Sequence, residues 1–542
     1  CGMLHFVSIE AFPVSPEDLI RSAAGYPELR ALAEELAGQS WGLVPGLHRL
    51  AFEGGRVLLT LCIGDVKEML KEQAFAADSV FLDGFDPRRN PQMWELGVLK
   101  SVARLCRRGT GIATWTAAGD VRRDLQQCGF QVDRAPGLPP KRHCLRGRYD
   151  PAWEPKGLQP DAPLQPGRCM VIGAGLAGAA VAASLACRGW SVEVLDAAPA
   201  PASGASGLPA GMLAPHQSPD DNPLSRLSRA GVRATFEQLK ALLRQGEDWE
   251  ATGVLENRMD DARPLPAVGA ALDVWTRGAS GAQKQLAGLP PDANAWWHER
   301  AAWVKPGALV RAWLAQPGIA WRGSAHVARL EHTNGLWVAR SQEGAELAQA
   351  DLVVVAAALA SAPLVDGAIS LRPVRGQVSW GAVPGATLPP FPVNGNGHFI
   401  PRAPLADGAA WFCGATYGRG ETATELRDAD HDANLERLRG LVPAIAPALA
   451  PAFRDGSVRA WTGVRCASTD RRPLVGELAP GLCVSTALGS RGLTFAVLCA
   501  ELLAARLHAE PWPVERRLGE ALDVARQLKP GACAQPAPGF PS

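Results

Sequence analysis

Val171-Ile172-Gly173-Ala174-Gly175-Leu176-Ala177-Gly178 decides the reading of this chain. Cys169 to Ile172 is short, apolar and strand-like, and Leu176 to Cys187 is alanine-rich and helix-like. Ser191 to Leu195 follows as a second strand ending on Asp196, about 20 residues beyond the glycines. In that setting each glycine has a task. Gly173 permits a tight turn, Gly175 lets a pyrophosphate approach the backbone, and Gly178 lets helix and strand lie close. The helix N-terminus offers partial positive charge to phosphates, and Asp196 can accept a ribose hydroxyl. A dinucleotide site is expected. Two other readings are a ligand-free α/β crossover and a membrane span, since the 19 residues from Cys169 to Cys187 hold only Ser184 as a polar side chain. The three spaced glycines, and Arg188 and Asp196 just beyond, argue against the span.

Outward from that stretch, the 542 residues allow two to four domains. A chain 47% hydrophobic and 20% charged is globular, and a net charge of +1 neither favours nor excludes a polyanionic partner. The twelve cysteines are scattered without any C-x-x-C, so neither a structural zinc nor a disulfide framework is expected. The opening Cys1-Gly2-Met3-Leu4-His5-Phe6 lacks the basic and apolar regions of a signal peptide. The expectation is a cytoplasmic monomer without metal or membrane.

Tyr149 to Gly167 carries Pro151, Pro155, Pro160, Pro163 and Pro166 and no apolar periodicity, which predicts a linker over 149–167. Before it, Arg56 to Leu61 alternates like a strand ending near Gly64-Asp65, and Ser79 to Leu82 reads as a buried strand ending on Asp83. Met93 to Cys106 has helical spacing, Gly111 to Trp115 is a strand and Ala118 to Cys128 a helix. That alternation predicts a parallel α/β sheet with ligands beyond the strand C-termini, where Asp65 and Asp83 fall. From Arg88 to Arg148 thirteen Lys/Arg face only four acids, Glu95, Asp120, Asp124 and Asp133. Such a face either gathers phosphates or is an ordinary solvated surface.

Beyond the linker, about 254–411 mixes short strands with turns, as in Leu371 to Trp380, and reads as an antiparallel sheet inserted into the nucleotide domain. Leu482 to Thr486 is a strand, Gly489-Ser490-Arg491-Gly492 a turn, and Leu493 to Leu507 an apolar helix. A chain that returns to its nucleotide fold at the far end is typical of flavoproteins, with the helix N-terminus near Gly492 aimed at the flavin pyrimidine. The tail from Pro530 to Ser542, rich in Pro and Gly, reads as disordered, and the domain ends by 527.

Gly204-Ala205-Ser206-Gly207 with Ala210-Gly211-Met212-Leu213-Ala214-Pro215, and Gly463-Val464-Arg465 with Asp470 and Pro473 to Gly476, resemble segments of the glycine oxidase and D-amino-acid oxidase class of FAD enzymes. Phe81-Leu82-Asp83-Gly84-Phe85-Asp86-Pro87, Asn90 to Trp94, Thr116 to Gly119, Val121-Arg122-Arg123 and Lys141-Arg142 resemble a tRNA (5-methylaminomethyl-2-thiouridine) methyltransferase domain. The two together, from about Leu4 to Arg526, resemble the bifunctional tRNA 5-methylaminomethyl-2-thiouridine biosynthesis family.

That resemblance implies an α/β fold: a partial Rossmann-like methyltransferase domain over 1–148, then a Rossmann-type FAD domain over 168–527 with its inserted sheet. It implies FAD, S-adenosyl-L-methionine and tRNA as cofactors and partner. Gly173, Gly175, Gly178, Asp196, Ser206, Gly489, Arg491 and Gly492 are the implied FAD contacts, and Asp65 would accept from the adenine amino group of the methyl donor. Arg465 would hold a substrate carboxylate, a salt bridge to Asp470 being its other reading, and Asp83 would hold the amine to be methylated. His216 lies near the expected isoalloxazine edge. Arg88, Arg107, Arg108, Arg122, Arg123, Lys141 and Arg142 are the expected tRNA contacts. Members of the family carry a glycine-rich methyl-donor loop upstream of the segment matching Leu4-His5-Phe6. No glycine-rich strand-to-helix turn precedes residue 100, so the methionine and ribose part of that pocket is expected to be missing. Three functions follow as alternatives: both activities, the FAD oxidase alone with a tRNA-binding partner domain, or a small-molecule amino-acid oxidase.

Overall fold

The computed structural model describes residues 2–154, 163–258 and 270–528. Residues 155–162 of the proline-rich stretch and the tail from 529 lie outside them. Two compact units emerge: one is 3–165 with 505–519, the other 166–504 with 520–542.

The first unit contains two sheets. In one, Leu4–Glu10 pairs parallel with Val57–Ile63, whose other edge takes Gly46–Phe52 antiparallel. In the other, Ala77–Leu82 pairs parallel with Cys106–Thr114, and His143–Tyr149 and Phe130–Pro136 complete it antiparallel. The expected all-parallel sheet is thus mixed, because the last two strands form a β-hairpin, which only antiparallel pairing can close over a short turn. Helices Leu96–Ala103 and Gly119–Gln127 bury Val98, Leu99, Val102, Val121 and Leu125 against Ile112, Phe130, Val132 and Leu145. The expected helix from Met93 is broken in two, a 3-10 turn at Pro91–Trp94 preceding the α-helix, and Cys106 already opens the next strand. Ser79 to Leu82 was expected to be a buried strand; the strand is Ala77–Leu82, and Phe81 in it is 71% exposed. The strand stands at a sheet edge, so only one of its faces meets the core.

In the second unit Arg168–Ile172, Ser191–Leu195, Ile319–Arg322, Leu352–Val355, Leu482–Thr486 and Leu474–Ala479 form a six-stranded sheet, parallel except for its last strand. Helices Leu176–Cys187 and Gly492–Leu507 belong to this layer. No helix among the described residues is long and apolar enough to cross a membrane. The short reach of Leu176–Cys187 is the reason: its 12 residues span about 18 Å, well under a bilayer core.

A nine-stranded mixed sheet runs from Val254–Asn257 to Arg459–Ser468, so its strands continue past Trp411, while strands from Ile319 to Val355 leave it to serve other sheets. Alternation gives this sheet two unlike faces. Cross-strand partners share a face, so Leu255, Trp297, Val393, Phe399 and Cys413 lie together. They form one apolar core with Leu435, Leu438 and Leu441 of helix Asp428–Leu441. The opposite face is polar along much of its width, and it forms the site.

Candidate active site

The nucleotide end is built as its glycines require. Gly173 has φ +111°, and a Cβ there would meet the Ala356 carbonyl oxygen at 2.6 Å. A Cβ on Gly178 would stand 1.8 Å from the Gly173 oxygen, so no side chain fits between helix and turn. Asp196 receives the Ala174 amide at 2.6 Å on one oxygen and the Ala198 amide at 2.8 Å on the other. Those bonds orient its carboxylate and leave each oxygen able to accept a ribose hydroxyl. Ser206 Oγ accepts from the Leu176 amide at 2.9 Å, at the open N-terminus of helix Leu176–Cys187. A pyrophosphate is drawn to that terminus by the same unpaired amides and helix dipole. The cradle therefore fits FAD, which Gly173, Gly175, Gly178, Asp196 and Ser206 would hold.

The polar face of the nine-stranded sheet supplies the other end. Cross-strand register links Thr276 to His298, Glu256 to Trp296 and Asn394, Asn394 to His398, His398 to Gly414, and Gly414 to Val378. Val374, two pairs along from Val378, stands opposite Arg465. Thr276, His298, Glu256, His398 and Arg465 thus share one face. Its apolar part, Val378, Ile400, Phe412 and Trp461, packs with Leu208, Ala210 and Met212, which belong to the segment expected to contact flavin.

Arg465 has lost water without gaining a carboxylate among the described residues. Burial lowers its pKa, its guanidinium lies 4.6 Å from the Tyr417 ring, and its hydrogen bond is a long 3.4 Å to the Thr416 carbonyl. The alternative pairing with Asp470 does not form. Asp470 accepts instead from Arg526 at 2.9 and 3.2 Å and from Ser468 at 2.7 Å, and although burial opposes it these bonds hold its carboxyl well below the usual range. Arg491 is brought alongside because the Gly489 amide donates to the Cys466 carbonyl at 2.9 Å, tying the turn to Arg465's own strand. Gly489 takes φ +59° to do so. Burial lowers the Arg491 pKa too, and Tyr417 and Glu256 lie in its field.

His216 is held neutral, its pKa pushed to about 4 by burial and by Arg491. The sequence reading had no signal for four neighbours. Tyr417 is a loop residue, and His398, Glu256 and His298 are polar positions in strands that register alone brings together. His398 is likewise pushed to about 4 by burial beside Arg465, and its Nε2 is buried without a hydrogen-bond partner.

In the first unit the expected residues stay dispersed. Asp65 caps helix Val66–Lys71, one oxygen accepting the Lys67 amide at 2.9 Å and the Glu68 amide at 3.4 Å. Asp83 is exposed. Arg107 pairs with Asp78 and Arg123 with Asp120. Arg108 is spent on Asp150, Glu154 and the Pro151 and Trp153 carbonyls. Lys141 lies 4.2 Å over the Trp115 ring, while Arg88 and Arg142 are exposed and Arg122 half-buried. Neither a glycine cradle like that at Gly173 nor a metal-holding cluster of three ligands occurs among the described residues.

Residues 168–506 match the FAD dependent oxidoreductase family, and residues 27–150 match an S-adenosyl-L-methionine-dependent methyltransferase family. Among solved structures, glycine oxidase from Geobacillus kaustophilus covers 63% of this chain and 95% of its own at TM-score 0.52 and 22% identity. Amadoriase I from Aspergillus fumigatus covers 67% and 91% at TM-score 0.52 and 16% identity. At such identities these show the fold. Two curated relatives are far closer, both called tRNA 5-methylaminomethyl-2-thiouridine biosynthesis bifunctional protein MnmC. The one from Polaromonas naphthalenivorans is 54% identical across 97% of this chain and 86% of its own length. The one from Paracidovorax citrulli is 52% identical across 97% and 87%. An FAD-dependent oxidoreductase domain and an S-adenosyl-L-methionine-dependent methyltransferase domain in one chain, at this identity over nearly its whole length, place it: the chain belongs to the bifunctional tRNA 5-methylaminomethyl-2-thiouridine biosynthesis family.

Proposed function

We propose that the chain modifies the wobble uridine of tRNA in two steps. The oxidoreductase domain removes the carboxymethyl group of 5-carboxymethylaminomethyl-(2-thio)uridine to leave 5-aminomethyl-(2-thio)uridine. The methyltransferase domain then methylates that amine to 5-methylaminomethyl-(2-thio)uridine. The observation carrying the first step is Arg465, a buried guanidinium without a carboxylate partner among the described residues, on the sheet face that packs with Leu208, Ala210 and Met212.

FAD, when bound, supplies the acceptor for the hydride that leaves the carboxymethyl carbon. The chain's own groups orient the substrate. Arg465 takes the carboxylate with paired N–H donors, stronger in a site that excludes water, and keeps its charge there. Arg491 adds a second positive charge. Tyr417 over Arg465 limits the approach of water. His216 and His398, both lowered to about 4 by burial, are neutral near pH 7 and add no charge to repel the cations. Water adds to the resulting imine carbon and releases glyoxylate and the primary amine. For the second step, Asp83 and Asp65 are the acids offered to amine and methyl donor, and Arg88, Arg122, Lys141 and Arg142 keep the most accessible charge for phosphates. Arg107, Arg108 and Arg123 are the weaker tRNA candidates because their donors are engaged. The reading places the enzyme, as a monomer, with its tRNA in the cytoplasm.

Mass spectrometry of nucleosides from tRNA incubated with the protein tests both steps. Loss of the carboxymethyl form and appearance of the methylaminomethyl form is the expected result. Loss without methylation leaves only the oxidase step, and an unchanged tRNA with turnover of free glycine overturns the reading.

A further inference from the structure

The guanidinium of Arg465 reaches its place by crossing a glycine. On one edge of strand Leu371–Ala382, Arg465 stands opposite Val374; on the other edge Arg419 stands opposite the same Val374 and Gly418 opposite Arg375. Cross-strand partners share a face, so Arg419, Val374 and Arg465 form one row. One step further along this register brings Tyr417 opposite Gly376. A Cβ on Gly376 would lie 2.4 Å from the Arg465 guanidinium, which passes over the bare backbone and meets the Tyr417 ring at 4.6 Å.

Tyr417 is anchored on both sides along the chain. The Thr416 amide donates to the Gln377 carbonyl at 3.2 Å, and Thr416 Oγ1 accepts from the Gln377 amide at 3.0 Å. Beyond the ring, Gly418 and Arg419 pair with the strand, and the Gly420 amide donates to the Pro373 carbonyl at 3.0 Å. The side chain is nevertheless 57% exposed. An exposed tyrosine alone says little. This one is fixed by its backbone, stands beside the carboxylate site, and rests one face against a cation while the ring stays open to solvent. Arg419, two residues on, is also exposed and pairs with no carboxylate among the described residues, which leaves a cation at this edge for a phosphate.

The length of the substrate side chain supplies the connection. Four single bonds join C5 of the uracil to the carboxylate carbon, about 5 Å when extended. With its carboxylate on Arg465 the base is on a short tether and meets the groups that flank the guanidinium, among them the exposed ring of Tyr417. We propose that Tyr417 is the platform on which the uracil ring stacks while Arg465 holds the carboxylate, so that the site selects an aminoacetate carried on a nucleobase over a free amino acid. The inference rests on Arg465 holding the carboxylate. Tyr417 touches no reacting bond in this role and acts on specificity. Stacking of this kind depends on a flat base and not on its hydrogen-bonding edge.

Inhibition of tRNA demodification by three small compounds tests this in the FAD-loaded full chain, assayed without methyl donor. 5-Aminomethyluridine carries the base without the carboxylate. Its 5,6-dihydro analogue bears the same polar groups on a puckered ring, and methoxyacetate carries the carboxylate without the base. The wild-type protein is expected to favour the planar nucleoside over the dihydro analogue by about fivefold or more in inhibition constant. Tyr417→Leu should weaken 5-aminomethyluridine by about tenfold, the scale of one lost base–aromatic stack, and Tyr417→Phe should keep it within about twofold. Methoxyacetate should hold nearly constant in both variants. A ratio near one between the nucleosides in the wild type, or no inhibition by either, overturns the proposal without any variant, which covers a Tyr417→Leu protein that loses its flavin. An unchanged constant for 5-aminomethyluridine in Tyr417→Leu overturns it too, as does an equal loss in Tyr417→Phe. An equal loss for methoxyacetate makes Tyr417 a support for Arg465 and no platform. If methoxyacetate fails to inhibit the wild type, the carboxylate site at Arg465 is wrong, and the tether that places the base goes with it.

Discussion

At Arg465 the guanidinium is desolvated, faces an aromatic ring and finds no anion among the described residues, an arrangement that costs stability unless a ligand supplies the missing charge. Arg465→Ala is expected to keep its flavin and to lose demodification of tRNA by about 30- to 1000-fold in kcat/KM, the scale of removing one partner of a buried charge pair. A yellow protein with unimpaired activity would remove Arg465 from the site. His398 makes a different prediction. Its folded pKa of about 4 lies below the ordinary 6.5, so between those values the unfolded chain binds a proton that the folded chain refuses. Stability should therefore climb from pH 4 to 6.5 and level off above. In His398→Gln the climb should shrink by one proton, on the order of 2–3 kcal/mol over the window, measured as denaturant midpoints across pH. An unchanged slope would mean that His398 titrates normally in the fold.

The site is a product of strand register, and register is what a single sequence hides. The glycine cradle was legible because its residues are neighbours in the chain: helix Leu176–Cys187 and strands Ser191–Leu195 and Leu482–Thr486 fall where spacing puts them. Arg465 was named on resemblance. Glu256, His298 and His398 reach one face through pairings between strands up to 138 residues apart, and no local period marks them. Register also makes a selective test. Gly376 stands diagonal to Arg465 across the strand pair, and a Cβ there would lie 2.4 Å from the guanidinium. That neighbour is the movable end of a side chain, so Gly376→Ala should fold, retain FAD and raise KM for tRNA by about tenfold or more by displacing the guanidinium. Normal KM would mean that Arg465 does not read the substrate. At the edge strand Ala77–Leu82, Phe81 is 71% exposed where an unpaired backbone invites a second strand. Phe81→Lys should lower self-association in sedimentation at high concentration and leave oxidase turnover unchanged. An increase in association would show that this edge is already covered.

Across the whole molecule the chain does not hand over once from the first unit to the second. Residues 505–519 return to the first unit. Arg49 donates to the Pro511 carbonyl at 2.5 Å, Glu510 lies 3.4 Å from His5, and Glu72 accepts the Arg516 and Arg517 amides, each at 3.1 Å. The proline-rich stretch read as a simple boundary because a sequence shows one crossing and not the return. A fragment from 166 onward should therefore bind FAD yet expose 505–519 to protease, whereas the full chain resists cleavage there. Equal resistance would show that these bonds contribute little.

That return has a consequence for synthesis. More than three hundred residues separate Gln165 from Ala505, and a ribosome adding about 5–20 residues per second needs tens of seconds to make them. The unit begun earlier is completed only after most of the other has been made. Through that interval Arg49, Glu72 and His5 wait for partners still unmade, so a chaperone that shelters the nascent N-terminal half should raise the yield of active enzyme more than one acting after release.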